Sequence, residues 1–403
     1  MSLFDRLRGK PTESSFAKAL LAAIKQQGDP RQLVYDQEQF MLHVPGTADR
    51  INLRNIYQEH LSLDQTDRPG HLETLARVFC QSETELPEDF EEAKSHLRPK
   101  VYCRSTFANM ELVNKVRGDK RLNIPLYALG DHLLMSLVYD QEYSMRSISG
   151  DDLEKWGTTF YEAMEIAKTN LERTTVAWAR MGDNFHSSMS GDNYDSSRVL
   201  LTDQIGEFSV LGDHVAVVPQ RDALYVTGTN DPTGLGILLD FVEKAYQNDP
   251  RPLSPIPLRL REGEWEDWDL PMNHEHFERY HRTKTQFLGT MYADQKELLE
   301  GECQPLYGDV FVASYSGIES QDGTKLRSYS VWGEGVDTLL PRTDLIAFGQ
   351  LTGEPCLVDW SKAREIIGHL MLADDELYPV RYRVREFPDE QSMETLRQFS
   401  EAN

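Results

Sequence analysis

The stretch that most constrains the fold is residues 122–175, LNIPLYALGDHLLMSLVYDQEYSMRSISGDDLEKWGTTFYEAMEIAKTNLERTT. Within it, 126–129 is apolar, Gly130-Asp131 is a turn pair, and 132–139 is almost wholly apolar. A near-continuous apolar run bounded by turn residues is the pattern of a strand covered on both faces. The two segments therefore read as a hairpin whose second strand lies in the core. Asp140-Gln141-Glu142 supplies the next turn and 143–148 a third strand. The following helix has a defined start: Thr159 and Glu162 stand at capping-box spacing, so hydroxyl and carboxylate can each satisfy an orphan amide. Phe160, Ala163, Met164, Ala167 and Leu171 then fall on one helical stripe.

A chain of 403 residues exceeds one typical core, which predicts two domains. The balance is acidic, 66 Asp+Glu against 42 Lys+Arg, for a formal net charge of -24. Such a surface repels phosphate backbones and anionic lipid, so neither nucleic acid nor membrane is an expected partner. Cys80, Cys103, Cys303 and Cys356 are scattered without a C-x-x-C pair and read as reduced thiols, and no apolar run approaches a membrane span. These features predict a cytoplasmic location.

Before the central stretch, Phe16, Ala19, Leu20, Ala23 and Ile24 mark an amphipathic helix that Gly28-Asp29-Pro30 ends. Segments 33–35 and 40–44 read as a hairpin closed by Pro45-Gly46, and Asn52 as the cap of a helix bearing Leu53, Ile56, Tyr57 and Leu61. After it, 182–197 reads as a polar loop, with Asp195 capping a helix at 198–201. Segments 208–211, 214–218 and 224–227 read as short strands, and Asp231-Pro232 opens a helix. Residues 249–273, rich in Pro, Trp and acid, read as an irregular, extended domain edge. A long amphipathic helix over 274–299 links it to a strand-rich remainder. The expected architecture is α+β: hairpin-helix units make a mixed or antiparallel sheet in a domain over 1–270, then a linking helix over 271–304 and a smaller α+β domain over 305–403.

Two repeats stand out. The hexapeptide LVYDQE occurs at 33–38 and 137–142, and the tetrapeptide LGDH at 129–132 and 211–214, each followed by an Asp ten residues after its Gly (Asp140 and Asp222). Both ancestral duplication and convergent turn chemistry account for them. LGDHLLMSLVYD, then Asp151-Asp152-Leu153 with Trp156-Gly157, then EAMEIAKTNLER resemble the bacterial YtpQ-type family, a domain of unknown function. AVVPQRDALYVTG and PLSPIPLRL resemble its later blocks. The resemblance spans roughly residues 14–270 and implies no activity; the C-terminal part looks like an addition that short members of the family lack.

Paired Asp-His turns are the first candidate for chemistry. Asp131 with His132 and Asp213 with His214 can supply two imidazoles and two carboxylates if the two units meet, enough for acid-base work or a divalent metal. Against that, Gly-Asp is ordinary turn chemistry, and adjacent strand residues point to opposite faces. His274, His276 and His281 do not share one helix face, and Asp183, Asn184, Asp192, Asn193 and Asp195 lack a calcium-loop spacing, so no metal is expected. No nucleotide fingerprint occurs, so no cofactor is expected either. Trp265 and Trp268 inside GEWEDWD would suit a protein partner if exposed. Arg381, Arg383 and Arg385 alternate along the last expected strand, 378–387, as edge-blocking charges or as a cationic stripe for an acidic or phosphorylated partner. With no assembled catalytic signature, the expected function is a non-enzymatic module that binds a protein or a small ligand. A metal-dependent hydrolase built on the repeated Gly-Asp-His turns is the rival.

Overall fold

Phe16, Ala17, Leu20 and Ile24 recur at helical spacing, and their segment folds as α1 (Glu13–Gln26), with Thr12 and Ser15 capping each other at its start. The structure is a computed structural model that describes residues 11–37, 39–45, 50–80, 86–118, 122–141, 145–174, 176–248, 252–349 and 356–400. Strands β1 (Val34–Asp36), β2 (Met41–His43) and β3 (Arg50–Asn52) form an antiparallel sheet. With α2 (Arg54–Ser62) and α3 (Arg68–Cys80) they enclose a core around Phe16, Leu20, Leu42 and Leu53.

The central stretch folds largely as its pattern predicts. After β4 (Leu97–Cys103) and α4 (Arg104–Arg117) come β5 (Tyr127–Leu129), β6 (Leu133–Asp140) and β7 (Met145–Ser147). Strand β6 pairs antiparallel with β4, β5 and β7, and every residue from Leu133 to Tyr139 is buried. Two helices follow, α5 (Gly150–Trp156) and α6 (Phe160–Arg173). The Thr159–Glu162 capping box is formed, and α6 buries Ala163, Met164, Ala167 and Leu171.

Next come β8 (Trp178–Met181), β9 (Phe185–Ser188), β10 (His214–Val217), β11 (Tyr225–Gly228), α7 (Pro232–Asn248), β12 (Leu258–Arg261) and β13 (Glu264–Asp267). Their strands make one antiparallel sheet in the order β13-β12-β10-β11-β9-β8. Its Ala216, Val226 and Leu258 share a core with Leu133, Met135, Ala163 and Ala167 of the preceding unit. Burying one face of each sheet against the other is what locks the two units together.

Helix α8 (Phe277–Glu300) runs for 24 residues, about 36 Å at the helical rise. Strands β14 (Phe311–Val312), β15 (Ser316–Glu319), β16 (Leu326–Gly333), β17 (Thr338–Pro341), β18 (Leu345–Gly349) and β19 (Cys356–Asp359) follow, then α9 (Trp360–Ile367), β20 (Leu372–Asp374), β21 (Arg381–Val384) and α10 (Glu390–Arg397). They form two mixed four-stranded sheets, β14-β17-β21-β20 and β15-β16-β18-β19, packed around Trp332, Phe348, Val358, Ile367, Tyr382 and Val384. The protein is α+β. Among the described residues, no strand after 305 pairs with one before 270.

Several expectations need correction. Residues 208–211 form no strand, and β10 pairs instead with β11 and β12. The β5 hairpin partner of β6 therefore has no counterpart before β10, although Gly130 and Gly212 both take positive φ, 61° and 87°. The expected loop 182–197 contains β9, whose four residues are all buried. Asp195 caps no helix; its carboxylate accepts from Ser188 Oγ and from the amides of Ser190 and Gly191 at 2.9 Å. The helix expected from 274 begins at Phe277, and the last strand is confined to Arg381–Val384. Gly46, residues 143–144 of the expected third strand, and 249–251 of the expected domain edge lie outside the described residues. The hexapeptide repeat has a structural counterpart: Asp36 pairs across its hairpin with Met41, and Asp140 with Met145. The Asp of each copy thus sits at the same register of an antiparallel pair, while Glu38 and Glu142 lie outside the described residues.

Candidate functional site

Helix α8 is where the two halves of the chain meet. On one side Arg279 pairs with Glu243 and Asp240 of α7; on the other Lys296 reaches the carbonyl of Val312, and Gln295 Nε2 donates to the carbonyl of Pro379 at 2.8 Å. Beside this helix opens a cleft of about 670 Å³. Its walls come from the start of α4 (Arg104), the β5–β6 turn (Asp131, His132), the end of β13 and the residues just beyond it (Asp267, Asp269), α8 itself (His281, Lys284, Leu288) and the C-terminal unit (Arg342, Asp344, Tyr378).

The turn is built for close approach. Gly130 has φ +61°, and a Cβ there would stand 2.0 Å from Asp267 Oδ1 and 2.8 Å from Leu258 Cδ2. The absent side chain lets Asp267 tuck against the turn, where its Oδ2 accepts the amide of Asp131 at 3.1 Å. His132 lies between two polar groups: Nδ1 is 2.5 Å from Tyr378 Oη and Nε2 is 3.7 Å from Asp267 Oδ2. The ring also meets Phe287 edge-on, with centroids 5.7 Å apart.

Burial sets the protonation of this group. It pushes His132 down to about 4, with Lys284 adding to the effect, so the imidazole is neutral near pH 7. It pushes Asp267 up to about 6 against the lowering influence of the Asp131 amide. The Tyr378 phenol is raised well above its ordinary value, also by burial. A neutral ring that accepts the phenol's proton at Nδ1 would carry its own proton on Nε2, toward Asp267, and the opposite tautomer would donate from Nδ1 to the phenol oxygen. Further along, burial would raise Asp269, but Lys284 at 2.6 Å and the Tyr280 hydroxyl hold it low. Burial likewise works against Asp344, which is kept low by His281 at 3.1 Å and by Ser328, whose amide and hydroxyl donate at 2.7 and 2.8 Å.

Two titrations check this arrangement. Carboxyl ¹³C NMR should give Asp267 a midpoint near 6, and the His132 ring should stay neutral down to about pH 4. The folded chain holds the Asp267 proton more tightly than the unfolded chain. Its contribution to stability is therefore full below the ordinary value of 3.8 and is lost as pH rises through about 6. His132 runs the other way: its contribution is full above 6.5 and is lost as pH falls through about 4. An ordinary carboxylate midpoint for Asp267 would contradict the buried geometry.

The structure does not join the two Asp-His pairs. Asp131 and His132 line the cleft, and both can, because Asp131 lies in the turn and not in the strand. His214 is bonded through Nε2 to the carbonyl of Phe208 at 3.0 Å, and Asp213 is exposed near Arg259 and Arg261. Among the described residues, no group of three or more His, Cys, Asp or Glu is placed to hold a metal. His276 bonds the carbonyl of Pro232 ahead of α8, apart from His281 at Asp344. Asp192 and Asp195 face Arg198, whose side chain is fully buried.

Trp265 and Trp268 make no exposed patch. Trp265 Nε1 donates to the carbonyl of Val199 at 2.8 Å, and Trp268 is buried against Leu235, Leu239 and Tyr280. The cationic stripe is also absent as drawn. Arg381 is fully buried, Arg383 pairs with Asp337 at 2.8 Å, and of the three only Arg385 is exposed. Sequence reasoning missed Arg104, Asp267, Lys284, Arg342 and Tyr378, which lie far apart along the chain and carry no local motif.

The chain is similar to uncharacterised bacterial proteins. The UPF0354 protein of Listeria innocua is 26% identical over 133 residues, 32% of this chain and 50% of that relative. The UPF0354 protein of Bacillus cytotoxicus is 24% identical over 149 residues, 35% and 55% of the two chains. The chain thus spans about half the length of the curated relatives it matches. No family model matches it, and no solved structure does. No helix among the described residues is long and apolar enough to cross a membrane.

Proposed function

We propose that this protein is a binding module for a small polar ligand, held in the cleft between its two halves. The observation that carries this reading is the cleft itself: about 670 Å³, with charged side chains contributed from both ends of the chain. A volume of that size is in the range of small-molecule sites, which favour boundaries between units. The wall groups are already fixed by Lys284–Asp269 and His281–Asp344, so a ligand meets an ordered polar surface. The similarity to UPF0354 proteins over about a third of the chain supports a bacterial family of unknown function, and the motifs quoted above extend our reading to the YtpQ-type family over residues 14–270.

Leu288, half-buried on α8, lines the cleft without joining its polar pairs. A Leu288→Trp variant should fold, fill the cleft and abolish the thermal stabilisation that polar small molecules give the parent protein. Equal stabilisation of both proteins, or of neither, would reject the cleft as the binding site.

A further inference from the structure

Most polar groups of the cleft already have partners: Lys284 pairs with Asp269, His281 bonds Asp344, and Asp359 caps α9 and meets Arg327 at 3.3 Å. Arg104 and Arg342, from the two halves of the chain, line the same cleft, and among the described residues neither makes an ion pair with a carboxylate. Arg104 lies over the Tyr378 ring, 4.5 Å from its centroid, and uses one nitrogen on the carbonyl of Asp131 at 3.3 Å. That stacking fixes the plane of the guanidinium and leaves most of its donors unused. Arg342 is exposed; its backbone amide is anchored to Tyr292 Oη at 3.1 Å. On a chain of net charge -24, these two guanidiniums are fixed cations in a lining that also carries the carboxylates of Asp131 and Asp267, so the cleft offers both signs of charge. Beside Arg104 stands Asp131, an exposed carboxylate on the same cleft that, among the described residues, makes no ion pair and supplies only backbone groups to its neighbours.

We propose that the cleft selects a small oxyanion that also carries a hydroxyl or amine, its carboxylate or phosphate held by Arg104 and Arg342 and its donor group by Asp131. The guanidinium fork matches either oxyanion bidentately, and a carboxylate acceptor beside it favours a ligand with a proton to donate. This inference rests on the cleft being the binding site, and the test separates the two.

The experiment is calorimetric titration of the full chain with glycolate, acetate, glycerol 3-phosphate, inorganic phosphate and glycerol. Glycolate and glycerol 3-phosphate should bind, each more tightly than the matching anion that lacks the donor group, and the stronger of the two identifies carboxylate or phosphate as the preferred head. Arg104→Gln and Arg342→Gln should each weaken binding about ten- to hundredfold, the usual worth of a charge-assisted hydrogen bond. Asp131→Asn should erase the preference for glycolate over acetate. Because Arg342 is exposed, its variant retains the fold and keeps the test decisive if the Arg104 variant does not. Anion binding unchanged in Arg342→Gln, or glycerol binding as tightly as the anions, overturns the inference. If glycerol binds, Leu288→Trp abolishes that binding and no anion binds, the inference falls while the cleft reading stands. If no probe binds, both fall.

Discussion

Replacing Arg381 with methionine is expected to destabilise the protein by about 3–5 kcal/mol, since each buried acceptor left without a donor costs about 1–3 kcal/mol. The guanidinium is fully buried and serves four acceptors: Gln295 Oε1 at 2.6 Å and the carbonyls of Ala313, Tyr292 and Leu339 at 2.8, 3.0 and 3.2 Å. These tie β21 to α8 and to the β14 and β17 region at once. Burial depresses the guanidinium to about 10, which leaves it protonated at neutral pH. Methionine keeps much of the packing volume and removes the donors together with their charge, so the loss reports the hydrogen bonds net of the desolvation penalty. Urea unfolding should show a lower midpoint with an unchanged slope. A loss below about 1 kcal/mol would mean that the desolvation penalty of the buried charge already cancels its bonds.

Gly130→Ala should cost about 2–3 kcal/mol and dismantle one wall of the cleft. A left-handed φ alone costs a residue with a Cβ about 1–2 kcal/mol. The new Cβ would also overlap Asp267 Oδ1 at 2.0 Å, forcing that carboxylate away from the Asp131 amide and from His132. The Asp267 titration should then move down toward the ordinary carboxylate value, because the burial that raises it is relieved. Gly157→Ala is the control: its φ is +65°, but no atom lies within 4 Å of the Cβ position. It should show the conformational cost alone and leave the cleft intact. Equal losses in the two variants, with Asp267 still titrating near 6, would show that the close approach at Gly130 is unimportant.

The sequence made the central hairpin and its helix legible because their signals are local. The apolar run of β6, the turn at Gly130 and the Thr159–Glu162 box each act within a few residues. Strand β9 was hidden for the opposite reason: Phe185-His186-Ser187-Ser188 reads as polar. Burial is made tolerable by His186 stacking on Phe208 at 4.3 Å and by Ser188 bonding Asp195. Arg198 and Arg381 look like surface residues until tertiary contacts supply their acceptors. At the site, Asp131-His132 drew notice through its echo at Asp213-His214, yet its place in the cleft depends on Asp267 and Tyr378, more than a hundred residues away. Asp267 read as one acid of a charged edge, and Tyr378 as the first residue of a strand. The approach of β13 to the Gly130 turn gives Asp267 its role, and the packing of the C-terminal unit on α8 gives Tyr378 its own.

If the cleft beside α8 is the ligand site, crystals soaked with a set of small polar fragments should show bound fragments concentrated there, with polar atoms within hydrogen-bond reach of Arg104, Asp131 or Arg342. Fragments that settle in other surface grooves while this cleft stays empty would contradict it.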